Sequence, residues 1–351
     1  MTSFGRMLNR PAVFVRIEDD DGVRGWGEVW CNFPSVAAEH RARLVNEVFA
    51  PAAVGKFLSR PEELFHYLTE QTHVLALQSG EIGPFAQAIA GLDVAIWDLF
   101  ARKSREPLWR LLGGNSPVVR VYASGINPEG VEATAERARA VGHNAFKLKI
   151  GFGPERDEHN LRALRAVLDE DLLAADANQG WDVDQALRLA PELAQFDLAW
   201  LEEPLRADVP WTEWQRLAET SATPLAAGEN ISGSEAFSNA ISANVLSIVQ
   251  PDLAKWGGIT MCSRVARTVL SAGRRFCPHY LGGGVGLLAS AHLLAGIGGD
   301  GLLEIDINPN PLRDACCGPM RHISTGRVTL SDEPGLGIDP DLQAFSSYQT
   351  L

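Results

Sequence analysis

The chain has 351 residues, enough for one large domain or two of ordinary size, and 46% of them are apolar, which suffices for a sizeable core. The formal net charge of −13 argues against nucleic acid or an anionic membrane as a partner, although a pocket of opposite local charge could still bind an anionic small molecule. There is no run of 18 apolar residues, no apolar leader and no C-x-x-C pair among the five cysteines, so we expect a cytoplasmic protein with reduced thiols and without a transmembrane helix, disulfide framework or zinc site.

The first part of the chain, to about Gly114, mixes strand-like and helical patterns. Two alternating segments, AVFVRIE and GWGEVW, are joined by Asp21-Gly22, which is a strong hairpin signal. Helical segments follow, and PLWRLLGG ends the last of them at a pair of glycines. These patterns predict an α+β domain over residues 1–116.

From about Pro117 to Asn308, short apolar strands alternate with amphipathic helical segments. The strand candidates are VVRVYAS, AFKLKI, LLAAD, LAWLEE, PLAAGE, VLSIVQPD, RRFCPH and GLLEID. Repeated alternation of strand and helix predicts a parallel sheet, and eight strands over roughly 190 residues fit a compact barrel. An open doubly wound sheet is the alternative, but no G-x-G-x-x-G follows the first strand. The tail has one short strand and several turns, and we expect it to return to the first domain.

Three successive strands of the predicted barrel end in a carboxylate: Asp176 in LLAADAN, Glu202 in WLEEP and Glu229 in LAAGEN. The C-terminal ends of barrel strands meet at one face, where three carboxylates without a cation would repel strongly. A bound hard cation resolves the repulsion, and an all-oxygen set of ligands suits Mg²⁺. Separate solvation of each acid on its own loop is the alternative. Glu202 is preferred to its neighbour because Glu203-Pro204 begins a loop.

Two lysines alternate along the second predicted strand, FKLKI. Lys147 and Lys149 therefore point to the same side, toward the barrel interior. Each ammonium is expected to depress the pKa of the other, and partial burial adds to this effect, so that one lysine could act as a base near neutral pH. Solvated lysines on an edge strand are the alternative, which the surrounding apolar residues disfavour.

The last three predicted strands carry a second group of polar residues. Strand six ends at Asp252 and strand seven at His279, so the two side chains are expected to form a hydrogen bond that fixes the imidazole tautomer. Strand eight carries Glu304. If protonated, it could donate a hydrogen bond to the substrate carboxylate as charge develops there, and a structural salt bridge is the alternative.

Further candidates near the strand ends are possible substrate contacts. Tyr122 and Ser124 end strand one, and Asn178 shares strand parity with Asp176. Core packing is the alternative for Tyr122. The three glycines at 282–284 follow strand seven, and they could let the backbone approach a ligand or could form a flexible turn.

In combination, these motifs resemble the enolase superfamily, and within it the mandelate racemase subgroup. FKLKI matches the K-x-K motif, and DAN, EEP and GEN match the three metal-ligand motifs. Asp252 and His279 match the Asp-His dyad of the subgroup, and Glu304 matches its glutamate on the last strand. The muconate-lactonizing and epimerase subgroup has a lysine where Asp252 stands. Lys255 lies three residues further on with the opposite strand parity, and it is not counted as that lysine.

The resemblance implies a (β/α)₇β barrel over residues 117–315, covered by a capping domain that residues 1–116 form together with the tail, residues 316–351. It also implies one Mg²⁺ per subunit, held by the three strand-end carboxylates, and a loop near residues 30–33 that closes the site. Relatives commonly form even-numbered assemblies, so a homo-oligomer is expected.

The resemblance implies further that a small carboxylate substrate binds the metal, that Lys149 or His279 takes its α-proton, and that Lys147 adds positive charge. Most members of the subgroup dehydrate sugar acids, so we expect a dehydratase that yields a 2-keto-3-deoxy acid, with a racemase or epimerase as the second possibility. Two other classes remain. A metal-dependent barrel hydrolase commonly uses histidine ligands, and a non-catalytic binding protein would gain nothing from tuned lysines.

Overall fold

The computed structural model describes residue 7 and residues 9–350. In its N-terminal part, a β-hairpin packs on a long helix. Residues 1–6 and 8 of the predicted first domain lie outside the described residues. Strands β1 (Val13–Glu18) and β2 (Arg24–Val29) pair in antiparallel register. The helices that follow are α1 (Ala37–Arg43), α2 (Ala50–Ala53), α3 (Glu62–Ser79), α4 (Ile82–Ser104) and α5 (Leu108–Leu111), with a π-helical turn at Leu44–Phe49 between α1 and α2.

Strand β2 and helix α4 approach each other at backbone contact distance. A Cβ on Gly27 would overlap the carbonyl oxygen of Gly91, and a Cβ on Gly91 would overlap the side chain of Val29. Only glycine permits this approach. Among the described residues, α4 is also the one helix with the length and composition to span a bilayer, but 83% of its most apolar window is buried inside the protein, which is the environment of a core helix.

Eight parallel strands then alternate with seven helices in the described chain, and their hydrogen-bonded order is β10-β3-β4-β5-β6-β7-β8-β9. The strands are β3 (Val118–Ile126), β4 (Ala145–Lys149), β5 (Leu172–Asp176), β6 (Leu201–Glu202), β7 (Leu225–Ala227), β8 (Leu246–Val249), β9 (Arg275–Phe276) and β10 (Leu302–Asp306). The helices are α6 (Val131–Ala140), α7 (Pro154–Leu168), α8 (Val183–Leu189, extended by a 3₁₀ turn at Ala190–Phe196), α9 (Trp211–Thr220), α10 (Ser234–Ser242), α11 (Gly258–Ser271) and α12 (Gly284–Ile297).

The strands enclose a packed interior layer to which each strand, or the residue next to it, contributes one side chain. The layer consists of Tyr122, Ala145, Ala174, Trp200, Ala226, Ile248, Cys277 and Leu302. The N–H of Leu302 donates to Sγ of Cys277 at 3.4 Å, which joins β10 to the segment after β9. The predicted parallel barrel is therefore confirmed, and the open doubly wound sheet is wrong.

The C-terminal segment contacts both parts of the protein. Its elements are α13 (Pro311–Cys316), β11 (Arg327–Thr329) and 3₁₀ turns at Gly318–Arg321 and Leu342–Tyr348. Strand β11 pairs antiparallel with β3. Further along, Asp98 of α4 accepts a hydrogen bond from the N–H of Leu336 at 2.6 Å, and Nε1 of Trp26 donates to Asp339 at 2.8 Å. The domain boundaries at 116 and 315 stay predictions.

One consequence for stability concerns His143, whose ring is 3% exposed and whose pKa is lowered by burial from 6.5 to about 4. As the pH falls from 6.5 to 4, the unfolded chain takes up a proton at this ring while the native state does not. The free energy of unfolding therefore decreases as the pH is lowered. His143→Gln should therefore reduce the slope of unfolding free energy against pH in this range by up to ~1.4 kcal/mol per pH unit, measured by urea unfolding. His73→Gln, at an exposed position, is the control. An unchanged slope in His143→Gln would contradict the assignment.

Candidate active site

Ten ionisable side chains meet at the C-terminal ends of the barrel strands, and most of them are buried. Six are carboxylates and four are cationic or can become so: Asp176, Glu202, Glu203, Glu229, Asp252 and Glu304, and Lys147, Lys149, Lys255 and His279. Even with the imidazole protonated, the carboxylates outnumber the cations by two. The site therefore has more carboxyl groups than cationic groups to pair with them, and burial together with neighbouring carboxylates raises the pKa of Glu202 to about 7 and that of Glu203 well above its usual value.

Lys147 lies deepest and is fully buried. Its Nζ is 2.5 Å from Oε1 of Glu202, 2.9 Å from Oε1 of Glu304 and 3.7 Å from Oδ2 of Asp176. Burial opposes the charge of this ammonium, but Glu202 and Glu304 outweigh it, so the pKa of Lys147 is raised well above its usual value. Lys147 is thus a fixed positive charge at the base of the site.

Lys149 lies two residues after Lys147, at the C-terminal end of β4. Its side chain is 14% exposed, and its Nζ is 2.5 Å from Oδ2 of Asp176. Burial lowers its pKa, Asp176 raises it, and Lys147 lowers it by a smaller amount. The net result is a raised pKa. Lys147 does lower the pKa of Lys149 as expected, but the expected net lowering is wrong, because the carboxylates around the pair outweigh the repulsion between the two ammoniums.

The structure places His279 and Asp252 in hydrogen-bond contact, with Nδ1 2.8 Å from Oδ2. The backbone N–H of His279 also donates to the carbonyl of Pro251. This bond extends the pairing of β8 and β9 as far as the dyad. On the other side of the ring, Nε2 forms a short ion pair with Glu229 and lies 3.6 Å from Oε2 of Glu304. Burial opposes the imidazolium, but Glu229 and Glu304 outweigh it and raise the pKa of His279 well above its usual value.

Glu304 lies between Lys147 and His279. Its Oε1 accepts hydrogen bonds from Nζ of Lys147 and from Oγ of Ser124, and its Oε2 has no hydrogen-bond partner. Burial raises its pKa, but Lys147 and His279 outweigh burial and bring the pKa to about 2. The expectation of a protonated Glu304 that donates a hydrogen bond is therefore wrong, because this carboxylate is ionised and acts as an acceptor.

Each of the three predicted metal ligands, Asp176, Glu202 and Glu229, is paired with a lysine or with the imidazole. Across residues 7 and 9–350, no three Asp, Glu, His or Cys side chains are gathered as a ligand cluster. The donor chemistry nevertheless fits a hard dication, because the available atoms are carboxylate oxygens, the carboxyl groups outnumber the cationic groups, and Oε2 of Glu304 has no hydrogen-bond partner among the described residues. The three ligands stay a prediction.

Glu203, which the sequence placed at the start of a loop, lies in the site. It is 2% exposed, and its N–H still donates to Ala226 in the sheet ladder at 2.9 Å. Both carboxylate oxygens accept from Nδ2 of Asn230, at 3.0 and 2.8 Å. Burial raises its pKa well above the usual value, and Glu229 and Asp176 add to the rise. Glu203 is thus a fourth carboxylate beside the predicted ligands.

Lys255 also reaches the site, although its position on the predicted strand indicates the opposite side. It stands on the turn between β8 and α11, where strand alternation no longer applies. Its Nζ donates to Oδ1 of Asn230 at 2.8 Å and lies 5.1 Å from the ring centroid of Trp30. Its charge helps to lower the pKa of Glu229, for which burial is the largest opposing cause and His279 the largest favourable one.

The predicted substrate contacts divide into two groups. Asn178 lies at the C-terminal ends of the strands, the mouth of the barrel. Its backbone N–H and its Nδ2 donate to Asp176 at 2.7 and 3.0 Å. Ser124 is buried beside Glu304. Tyr122 lies beneath the site in the interior layer, fully buried, with Nζ of Lys147 5.4 Å from its ring centroid. For Tyr122 this position favours packing over substrate contact.

The loop predicted to close the site contacts the barrel at two turns. The N–H of Trp30 donates to the carbonyl of Ala254 at 3.4 Å, after β8. Nδ2 of Asn32 donates to the carbonyl of Leu281 at 2.6 Å, after β9. Residues 30–32 therefore touch the turns that follow both strands of the Asp-His dyad.

Comparison with known families agrees with this geometry. Residues 1–113 match the N-terminal domain of the mandelate racemase / muconate lactonizing enzyme family, and residues 130–344 match the enolase C-terminal domain-like family. The chain belongs to the enolase superfamily, in the mandelate racemase/muconate lactonizing subgroup. The predicted family is confirmed, and with it the combination of a capping domain and a barrel.

Members of this superfamily with similar sequences span nearly the whole chain. D-galactarolactone cycloisomerase of Agrobacterium fabrum is 31% identical over 98% of this chain and 93% of the relative. Arabinonate dehydratase of Saccharolobus solfataricus is 29% identical over 96% of this chain and 90% of the relative. The similar proteins thus include both an isomerase and a lyase.

Solved structures show the same fold. The mandelate racemase/muconate lactonizing enzyme from Bordetella bronchiseptica RB50 is 53% identical, with a TM-score of 0.95 over 97% of this chain and 95% of that one. A racemase from Streptomyces coelicolor A3(2) with bound magnesium is 29% identical, with a TM-score of 0.87 over 99% of this chain and 94% of that one.

The position of Tyr122 gives a direct test of its role. Tyr122→Phe should leave the thermal unfolding midpoint unchanged or raise it, because the substitution removes a buried hydroxyl that has no hydrogen-bond partner within residues 7 and 9–350. Ser124→Ala is the matched comparison. It removes the donor to Glu304 and should cost about 1–2 kcal/mol of stability. If Tyr122→Phe destabilised the protein as much as Ser124→Ala does, the packing assignment would be wrong.

Proposed function

We propose that this enolase-superfamily enzyme is a Mg²⁺-dependent lyase that removes the α-proton of a sugar acid and eliminates water to give a 2-keto-3-deoxy acid. The observation that carries the proposal is the arrangement of Lys149 and the Asp252–His279 pair around carboxyl groups that outnumber the cationic side chains of the site. The arrangement provides a base, an acid and a place for a dication within one site.

Mg²⁺ would be held by Asp176, Glu202 and Glu229, which offer the oxygen ligands that this ion prefers. When bound, it would hold the substrate carboxylate and supply positive charge toward the anion formed by loss of the α-proton. The magnesium bound to the Streptomyces coelicolor racemase supports this assignment.

Lys149 is the base in this proposal. Its ammonium is partly exposed at the mouth, whereas Lys147 is fully buried and tied to three carboxylates. Asp176 is the largest cause that raises the pKa of Lys149, while burial and Lys147 both lower it. If Asp176 were engaged as a metal ligand, burial and Lys147 would be opposed only by the smaller raising effects of Glu304 and Glu202. The amine form of Lys149 would then take up the substrate α-proton.

His279 is the acid. Asp252 holds Nδ1 and stabilises the imidazolium, so Nε2 is the atom that can donate a proton. The β-hydroxyl of the substrate takes this proton and leaves as water when its C–O bond breaks, and the resulting enol becomes the 2-keto acid. Glu229 pairs with Nε2 in this structure, so it must release the imidazole before His279 can act.

Isomerisation is the second candidate. A base and an acid on opposite sides of one carbon also permit racemisation or epimerisation, in which the second group returns a proton to the same carbon. The similarity to a cycloisomerase supports an isomerase, and the similarity to arabinonate dehydratase supports elimination. A metal-dependent hydrolase is a more distant candidate, because the proposed ligand set contains no histidine.

A screen of sugar acids with Mg²⁺ distinguishes the candidates by product. Elimination should lower the mass of the substrate by one water and produce a 2-keto group that reacts with semicarbazide. A product of unchanged mass would instead support isomerisation, and chiral chromatography would then identify racemisation or epimerisation.

The roles of the two acid/base residues can be tested with the substrate found in this way. Lys149→Ala and His279→Asn should each abolish turnover, because each removes one of the two proton-transfer groups, while Mg²⁺ binding measured by calorimetry is retained. Lys103→Ala, on the exposed side of α4, is the control.

In D₂O the wild-type enzyme should exchange the substrate α-hydrogen for deuterium, and absence of exchange together with a cleaved product would support a hydrolase. Normal turnover in either variant would disprove its role.

A further inference from the structure

Two buried carboxylates of the capping domain have no part in the proposed chemistry, yet both reach the barrel. Glu28 on β2 is 2% exposed and Asp93 on α4 is fully buried. Neither forms an ion pair with a lysine or arginine among the described residues, so their partners must be neutral donors. Those donors are backbone groups and the hydroxyl of Thr260, and the hydroxyl of Tyr280 also favours the ionised form of Glu28.

Glu28 accepts hydrogen bonds from the start of helix α12. Its Oε1 accepts from the N–H of Gly283 at 2.5 Å, and its Oε2 accepts from the N–H of Gly286 at 3.0 Å. Helix α12 begins at Gly284, and only a short turn separates it from His279. Glu28 therefore fixes the far end of the turn that follows the imidazole.

Asp93 makes the equivalent contact one helix earlier. Its Oδ2 accepts from the N–H of Thr260 at 2.9 Å, and its Oδ1 accepts from Oγ1 of the same residue at 2.6 Å. Helix α11 begins at Gly258, after the turn that follows Asp252. Each member of the dyad is thus followed by a turn whose far end is held by a carboxylate of the capping domain.

The physical basis is the unsatisfied N–H groups in the first turn of a helix, whose partial positive charge favours an anion. Burial raises the pKa of Glu28, and the hydrogen bonds from Gly286 and Gly283 counter the rise. Burial also raises the pKa of Asp93, to about 7, against the hydrogen bonds from Thr260. Both oxygens of each carboxylate accept hydrogen bonds, which is the geometry of the ionised form.

Close approach at these helix starts requires glycine. A Cβ on Gly283 would lie 2.7 Å from Oε1 of Glu28, and a Cβ on Gly258, whose φ is +55°, would overlap Oδ2 of Asp93. The glycines at 282–284 are thereby explained in part, since they make room for a carboxylate of another domain rather than forming a flexible turn.

The two carboxylates are also fixed relative to each other. Gly27, next to Glu28, packs against the backbone of Gly91, two residues before Asp93, so strand β2 and helix α4 are packed backbone to backbone between the two carboxylates. The contacts of residues 30 and 32 with the same two turns add a second connection on each side.

We propose that Glu28 and Asp93 are positioning residues through which the docked capping domain sets the geometry of the Asp252–His279 dyad. Neither touches the reacting atoms in this assignment. The effect on turnover rests on the proposed function, whereas the effect on the dyad and its turns does not.

The main test uses Glu28→Gln in the full-length protein. Glutamine keeps one acceptor oxygen but directs an NH₂ group toward a helix N–H, so one of the two hydrogen bonds is lost. Hydrogen–deuterium exchange of amides in residues 280–286 should accelerate by about tenfold or more, as expected for the loss of one charge-assisted hydrogen bond. The ¹⁵N resonances of the His279 ring, identified by their absence in His279→Asn, should shift or split.

Asp157→Asn is the matched control. Asp157 on α7 is another buried carboxylate whose two oxygens accept backbone N–H groups just before a helix, those of Gly151 and Phe152, but these follow β4, across the barrel from the dyad. This variant should leave the 280–286 amides and the His279 resonances as in the wild-type protein. Equal changes in Asp157→Asn and Glu28→Gln would indicate general loosening and would overturn the proposal.

Two milder variants keep the proposal testable if Glu28→Gln does not fold. Gly283→Ala disturbs the Glu28 contact from the barrel side, and Thr260→Val removes one of the two hydrogen bonds to Asp93. Gly283→Ala should alter the His279 resonances, and Thr260→Val should accelerate exchange in residues 253–262. With a substrate in hand, both should lower kcat more than they raise KM. Wild-type resonances and exchange in these variants would disprove the positioning role, whether or not a substrate has been found.

Discussion

An excess of buried negative charge at the mouth of the barrel is the constraint on which the rest of the site depends. Ionised carboxylates are costly to remove from water unless they are paired, and here six carboxyl groups converge on three lysines and one imidazole. Pairing accounts for the raised pKa of both strand lysines and of His279, and for the low pKa of Glu304. The remaining charge is what a dication and an acidic substrate, bound together, would share.

The fold confines this charge from below and from above. Beneath it, an interior layer with one side chain from each strand fills the barrel, and its two large aromatic members, Tyr122 and Trp200, meet edge to face at 5.2 Å. Above it, capping-domain residues contact the turns after β8 and β9, and two buried carboxylates of the same domain hold the helices that follow those turns. The geometry of the proposed acid/base groups therefore depends on the packing of both domains.

Much of this arrangement is predictable because strand alternation and the shared end of parallel strands place charged residues without any long-range information. The dyad, the paired lysines and the three strand-end carboxylates follow from those two rules. Glu203 does not, because its φ of +39° returns the side chain to the site after the strand pattern has ended. The pKa of Lys149 depends on a carboxylate on another strand, and the partner of Gly283 lies 255 residues away in the chain. No local pattern encodes such distances.

The most direct test of the charge constraint is calorimetric titration of the metal-free protein with Mg²⁺. We expect one site per chain. Binding should be lost or strongly weakened in Asp176→Asn and Glu229→Gln, and retained in Asp98→Asn, which removes a buried carboxylate that is hydrogen-bonded to Trp26 and Leu336 and not to the site. Binding no stronger than in a buffer blank, or wild-type affinity in Asp176→Asn and Glu229→Gln, would contradict the claim that these strand-end carboxylates share one dication.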